Sequence, residues 1–154
     1  DYIIWSAERS IKALQTEYLD LLLLHRPSPL MHPSEIAEAI TKLKKQGKVR
    51  QFGVSNFNPA QIALIETAMP VEGNQVEFSL TSNNVMNDGS LDDCMINKRL
   101  AMSWSPLGSY FKEDSPKTKR INKVLKSLCE KYNTTEDQLL LSWVLKHPAE
   151  FTQW

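Results

Sequence analysis

Cysteine, glycine and any excess of one charge are what this sequence has least of. Only two cysteines occur in 154 residues, Cys94 and Cys129. Their separation matches no metal-ligand spacing, and two are too few for the disulfide framework of a small secreted scaffold. Both read as reduced thiols on helices, and no metal site is expected. Lysine plus arginine and aspartate plus glutamate number 18 each, so the formal net charge is zero. A neutral chain lacks the electrostatic footprint of a protein built for nucleic acid or for an acidic membrane surface. No apolar run approaches the roughly 20 residues that cross a bilayer. The start, Asp1-Tyr2-Ile3-Ile4-Trp5, has no basic segment ahead of its apolar residues. No signal peptide is therefore expected, and a cytoplasmic setting is. There is no initiating methionine, and the chain stops soon after Pro148. Both ends read as cuts through a larger domain.

What the chain does have is a leucine run, Tyr18-Leu19-Asp20-Leu21-Leu22-Leu23-Leu24-His25-Arg26-Pro27. Its length and its stop at Pro27 suit a strand buried on both faces of a parallel sheet. His25 then falls at the carboxyl end of the strand, where α/β sheets and barrels place their chemistry. By itself, a lone histidine there reads more readily as a hydrogen-bonded structural residue.

The rest of the chain repeats the pattern. A helical spacing of Ile4, Ala7, Ile11 and Leu14 precedes the run. Pro33-Ser34-Glu35 opens a helix with Ile36, Ala39, Ile40 and Leu43 on one stripe, and Gly47 closes it. Val49 to Val54 reads as a strand. Asn58-Pro59 reads as a cap and first turn, with Ile62, Leu64, Ile65 and Ala68 behind it. Gly73 to Leu80 reads as a third strand, 90–98 as a short helix, and Leu100 to Trp104 as a fourth strand. Helices follow over about 117–131 and 135–147, with Thr134 or Thr135 as the second cap. Strict alternation implies right-handed βαβ crossovers, a parallel sheet, and every strand-to-helix loop on one rim. The fold class is α/β: four strands of a partial (β/α)8 barrel. The whole of 1–154 reads as one incomplete barrel domain.

Four segments at strand ends then resemble the aldo-keto reductases, a family of (β/α)8 barrels that reduce carbonyls with a nicotinamide cofactor. They are Leu19 to His25 followed by Pro27, Gly53-Val54-Ser55-Asn56-Phe57, Asn74-Gln75-Val76-Glu77, and Trp104-Ser105-Pro106-Leu107-Gly108. In that order they are similar to the family's strands four to seven, so strands one to three and eight are missing. The resemblance implies a catalytic role for His25, as the histidine that orients and polarises the substrate carbonyl. It implies that Ser55, Asn56 and Gln75 hold the nicotinamide carboxamide, an amide that needs both donor and acceptor partners. Trp104 stands where the family stacks an aromatic, usually Tyr, on the nicotinamide; indole keeps the flat π-face. Ser105, Leu107 and Ser109 fall at the cofactor pyrophosphate. The implied cofactor is NADP(H) ahead of NAD(H), and the implied substrate is a small-molecule aldehyde or ketone.

Without the resemblance, Ser55 and Asn56 read as caps of the next helix, with Asn58 competing. Gln75 reads as a backbone partner in a barrel layer, Trp104 as core, and Arg26 as a rim residue. The family's Tyr, Lys and Asp lie on its first three strands. Tyr2, Tyr18, Tyr132, Lys48 and Lys98 fall on helices or on the wrong end of the strands, and Tyr110 has no strand-end lysine near it. No replacement acid is found, and the isolated chain is expected to be nearly inactive. Two open sheet edges imply that the isolated chain is marginally stable, self-associates or pairs with a missing half. The alternative reading is a non-catalytic nicotinamide-binding protein of the same fold, acting as a regulator or channel-like subunit.

Overall fold

The computed structural model describes residues 2–149. The elements run α1 (Tyr2–Leu14), β1 (Leu19–Leu24), α2 (Pro33–Lys45), β2 (Val49–Ser55), α3 (Pro59–Glu66), β3 (Gly73–Glu77), α4 (Ser90–Asn97), β4 (Leu100–Trp104), α5 (Pro116–Tyr132) and α6 (Glu136–Leu145). A single 3-10 turn, Asn84–Met86, precedes α4. The strands form one sheet in the order β1-β2-β3-β4, the parallel alternation expected from the sequence. The chain divides into two compact units, Asp1–Gln75 and Val76–Trp154.

In the first unit the helices obey their local signals. Pro33 starts α2, and Ile36, Ala39, Ile40 and Leu43 are buried on it at the i, i+3, i+4, i+7 spacing of one face. Gly47 ends it at φ +69°, donating its N–H to the Lys44 carbonyl at 3.0 Å. Asn58 caps α3. Its Oδ1 accepts from the Gln61 N–H at 2.9 Å, and the Gln61 side chain accepts from the Asn58 N–H at 3.0 Å. These helices cover Val49, Phe52, Val54, Phe57, Ile62 and Ile65, all at most 2% exposed.

The sheet of this unit is pinned by an unusual close approach. Gly53 lies level with Leu23 on β1 and with Gly73 on β3. A Cβ at Gly53 would sit 2.8 Å from the Gly73 carbonyl oxygen and 2.8 Å from Leu23 Cδ2. Glu72 ties the same edge, accepting from the Phe52 N–H at 3.0 Å and from Lys44 Nζ at 2.8 Å. The leucine strand departs from expectation. Its residues are half-buried and Asp20 is exposed, because β1 is an edge strand with β2 as its partner.

In the second unit, Val76, Phe78, Leu91, Cys94, Ala101 and Val144 form the core. The third strand stops at Glu77 rather than Leu80. Ser79 and Ser82 close a turn instead, through Ser79 N–H to the Ser82 carbonyl at 2.8 Å and Ser82 N–H to Ser79 Oγ at 3.0 Å. A serine hydroxyl offers the backbone a partner that competes with the ladder. Ser115 caps α5, accepting from the Thr118 N–H at 3.2 Å, and Thr135 is the cap residue of α6. Arg99 Nε meets Asp93 Oδ2 at 2.8 Å, a largely buried pair. Cys94 lies on α4 and Cys129 on α5, both free.

Two outcomes follow from this packing. Gly53→Ala leaves its Cβ nowhere to go without parting β2 from β3, and overpacking of this kind costs about 1–3 kcal/mol. A urea titration reads it as a lower midpoint at unchanged slope; an unchanged midpoint would show that the strands can yield. Burial, reinforced by Asp93, pushes the Cys94 thiol up to about 11, and the residue is 1% exposed. Iodoacetamide at neutral pH should therefore modify Cys129 in the folded chain and reach Cys94 only after unfolding. Mass spectrometry showing equal rates would contradict that burial.

Candidate active site

The carboxyl ends of β1, β2 and β3 collect the candidates of the first unit. Leu24 is level with Val54, and Val54 with Asn74. One residue further, Ser55 is level with Gln75, and His25 follows Leu24 directly off the end of β1. Level residues of parallel strands share a face, and successive residues alternate. Leu24 and Val54 go to the helical side, so the pleat sends Ser55 and Gln75 to the other. His25 is exposed beyond the strand end.

Ser55 is 2% exposed, yet its hydroxyl is not idle. Its Oγ donates to the Gln75 backbone carbonyl at 3.1 Å and lies 3.5 Å from Gln75 Oε1. Asn56 Nδ2 donates to Ser55 Oγ at 3.1 Å, and the Asn56 N–H donates to the Gln75 carbonyl at 2.8 Å. Asn56 adopts φ +59°, a left-handed conformation that asparagine tolerates better than most residues. The kink swings the chain off the strand while its amide keeps the ladder going. Because Asn58 and Gln61 cap α3, Ser55 and Asn56 are not its caps. The three polar side chains form one network at the end of two adjacent strands.

The sequence did not single out Asn74. It is fully buried, and its Nδ2 donates to the Phe57 carbonyl at 2.9 Å, anchoring the loop that carries Asn56. Its Oδ1 is buried without a hydrogen-bond partner. A period of two places it opposite Gln75, but nothing in a lone Asn-Gln pair says which of them faces the rim.

The other candidates belong to the second unit. β4 ends at half-buried Trp104, and the backbone turns at once through Ser105, at φ +50°. The Gly108 N–H donates to the Ser105 carbonyl at 2.8 Å, closing the Ser105–Ser109 turn. Gly108 has φ +59°, and a Cβ there would overlap Thr81 Oγ1 and stand 2.5 Å from Ser79 Oγ. Position 108 thus requires glycine on two counts, backbone angle and space. The Ser109 N–H donates to Thr81 Oγ1 at 2.9 Å. His25, Ser55, Asn56 and Gln75 are thus features of one unit, and Trp104, Ser105, Leu107 and Ser109 of the other. Among the described residues, no cluster of His, Cys, Asp or Glu is placed to hold a metal ion. Among the same residues, no helix is long and apolar enough to cross a membrane.

Comparison with known proteins agrees with this architecture. The chain is 40% identical over 153 residues to the uncharacterized oxidoreductase YcsN of Bacillus subtilis, covering 96% of this chain and 51% of that protein. It is 34% identical to a 6-dehydroglucose reductase of Agrobacterium fabrum, covering 94% of this chain and 49% of the relative. The chain therefore spans about half the length of the curated relatives it matches. Among solved structures, the thermostable aldo-keto reductase Tm1743, in complex with the inhibitor epalrestat, superposes with a TM-score of 0.79 at 31% identity, covering 96% of this chain and 53% of that one. An aldo/keto reductase from Klebsiella pneumoniae, in complex with NADP and acetate, gives 0.75 at 29% identity, covering 93% and 50%. The family model described as "Aldo/keto reductase family" matches residues 1–152, nearly the full length. This match over nearly the whole chain, on a parallel sheet alternating with helices, places the chain in the aldo/keto reductase family.

Proposed function

We propose that this chain is the cofactor-holding part of an NAD(P)H-dependent reductase of aldehyde or ketone carbonyls. The observation that carries the reading is the Ser55–Asn56–Gln75 network, left unclaimed by the cap of α3. An amide ligand presents one acceptor and two donors, and the paired side-chain amides of Asn56 and Gln75 offer both kinds of partner. Ser55 sits between them and holds the Gln75 backbone in register. The donor set therefore fits a carboxamide. The Ser105–Ser109 turn fits a phosphate, since Gly108 brings backbone close to its neighbours where a side chain would intrude. Trp104 would lay its indole on a flat ring.

When bound, a nicotinamide cofactor supplies the hydride. The chain's own part is orientation: hydrogen bonds from Asn56 and Gln75 fix which ring face is presented, and fixed geometry is itself a large share of rate. His25, exposed beyond β1, would donate a hydrogen bond to the substrate carbonyl oxygen and draw charge toward it. NADP(H) is favoured over NAD(H), a preference supported by the Klebsiella relatives solved with NADP and NADPH. The proton donor of the complete protein is taken to lie outside these residues. Without it, turnover by this chain should fall by roughly 10²–10⁴.

Titrating the chain with NADPH and following tryptophan quenching tests the assignment. Gln75→Ala and Trp104→Ala should each weaken binding by roughly five- to tenfold, the worth of one hydrogen bond or one stacking contact. Equal affinity in both variants would remove these residues from the site. The exposed ladder of β1, an apolar edge strand, supports a second proposal, that the isolated chain self-associates along it. Size-exclusion chromatography across a hundredfold range of concentration should show a shift to larger species, abolished by Leu21→Lys. A constant monomer would defeat it.

A further inference from the structure

We propose that Thr81 is the positioning residue of the Ser105–Ser109 turn, and that it decides which of the turn's donors remain for an anion. The inference rests on the reading above in one respect only, that the anion is the cofactor's phosphate.

Thr81 is engaged at both its polar ends. Its Oγ1 accepts the Ser109 N–H at 2.9 Å. Its backbone carbonyl accepts from Lys117 Nζ at 2.5 Å, tying it to the first turn of α5. Its hydroxyl also lies 3.2 Å from Ser79 Oγ, and Ser79 is fully buried in the turn it closes with Ser82. The hydroxyl is therefore presented from a fixed support, and the absence of a side chain at Gly108 is what lets it reach the turn. This contact does two things. It holds a backbone that already carries left-handed Ser105 beside left-handed Gly108; for serine, unlike glycine, that conformation costs free energy and persists only when its surroundings impose it. It also removes the Ser109 N–H from the set open to a ligand, just as the Ser105 carbonyl removes the Gly108 N–H. Pro106 has no N–H. What is left includes the Leu107 N–H and the hydroxyls of Ser105 and Ser109, which make no hydrogen bond among the described residues. Three donors carried by one tight turn suit the oxygens of a phosphate group.

Two measurements on the same variants separate this inference from the reading it builds on. Amide hydrogen exchange of the chain without ligand should show the Ser109 N–H protected. Thr81→Val, which keeps the shape and loses the acceptor, should speed Ser109 exchange by roughly tenfold. Thr81→Ser, which restores the hydroxyl, should return it to the parent value. NADP+ affinity should follow the same order, with Thr81→Val weaker by roughly five- to tenfold and Thr81→Ser near the parent. Circular dichroism establishes that each variant is folded. Unchanged Ser109 exchange in a folded Thr81→Val overturns the positioning role, as does a Thr81→Ser variant that behaves like Thr81→Val. Should Thr81→Val fail to fold, Thr81→Ala, which also loses the acceptor, is read in its place against the same outcomes. Should the parent chain fail to bind NADP+, the cofactor reading falls and the exchange series judges the positioning role alone. Binding by parent and Thr81→Val with equal affinity overturns the claim that the turn's donor set matters to the phosphate.

Discussion

The backbone carbonyl of Gln75 accepts two hydrogen bonds, from the amide of Asn56 and from the hydroxyl of Ser55. Much of the first unit's arrangement depends on that shared acceptor. It extends the β2–β3 ladder one residue past the point where β2 leaves the sheet, and it does so with Asn56 turned into the left-handed region. Were Asn56 extended, the chain would run on as a strand and its side chain would not fold back onto Ser55 Oγ. The pair of bonds thus converts a strand end into a shelf of amide groups. The close approach of Gly53 to Gly73 just upstream makes the register tight enough for both bonds to form.

The second unit reaches a similar end by different means. No asparagine takes the kink there; Ser105 does, and Gly108 completes the turn. A side-chain hydroxyl on a neighbouring turn, that of Thr81, substitutes for the ladder carbonyl. In both units a non-glycine residue in left-handed backbone follows directly on a strand's carboxyl end. Asn56 is held by its N–H on the Gln75 carbonyl and its Nδ2 on Ser55 Oγ, and Ser105 by the Gly108 N–H on its carbonyl. Such conformations persist only where the surrounding structure over-determines them, and they cluster at functional sites. Capping by Asn58 matters as well. A helix whose first turn is satisfied by its own residues makes no claim on the polar groups of the preceding loop.

Much of this was legible in the residues. The periodicity of Ile36, Ala39, Ile40 and Leu43 named a helix face, and the face is buried. Pro33 and Asn58-Pro59 marked helix starts, and the helices start there. The alternation of apolar runs with amphipathic segments implied a parallel sheet, and the sheet is there. The third strand was read too long, to Leu80 instead of Glu77. Alternation in side-chain character does not register that Ser79 and Ser82 will bond each other rather than a neighbouring strand. The leucine strand was expected to be buried on both faces and is half-buried, because burial depends on what lies beside a strand and not on how apolar it is.

Local order, then, was written into the chain itself: where helices begin and end, which of their faces are apolar, and that polar residues follow each strand. Those properties arise from interactions over a few residues, which sequence spacing records directly. Which polar groups are spent and which are spare was decided only by tertiary contacts. Ser55 and Asn56 escaped the role of helix cap because Asn58 and Gln61 satisfied α3 first, and their network closes on Gln75, twenty residues away. Thr81 reaches Ser109 across twenty-eight residues. Hydrogen bonds of that range depend on strand register and on the space a glycine leaves open, and neither quantity is encoded at any single position.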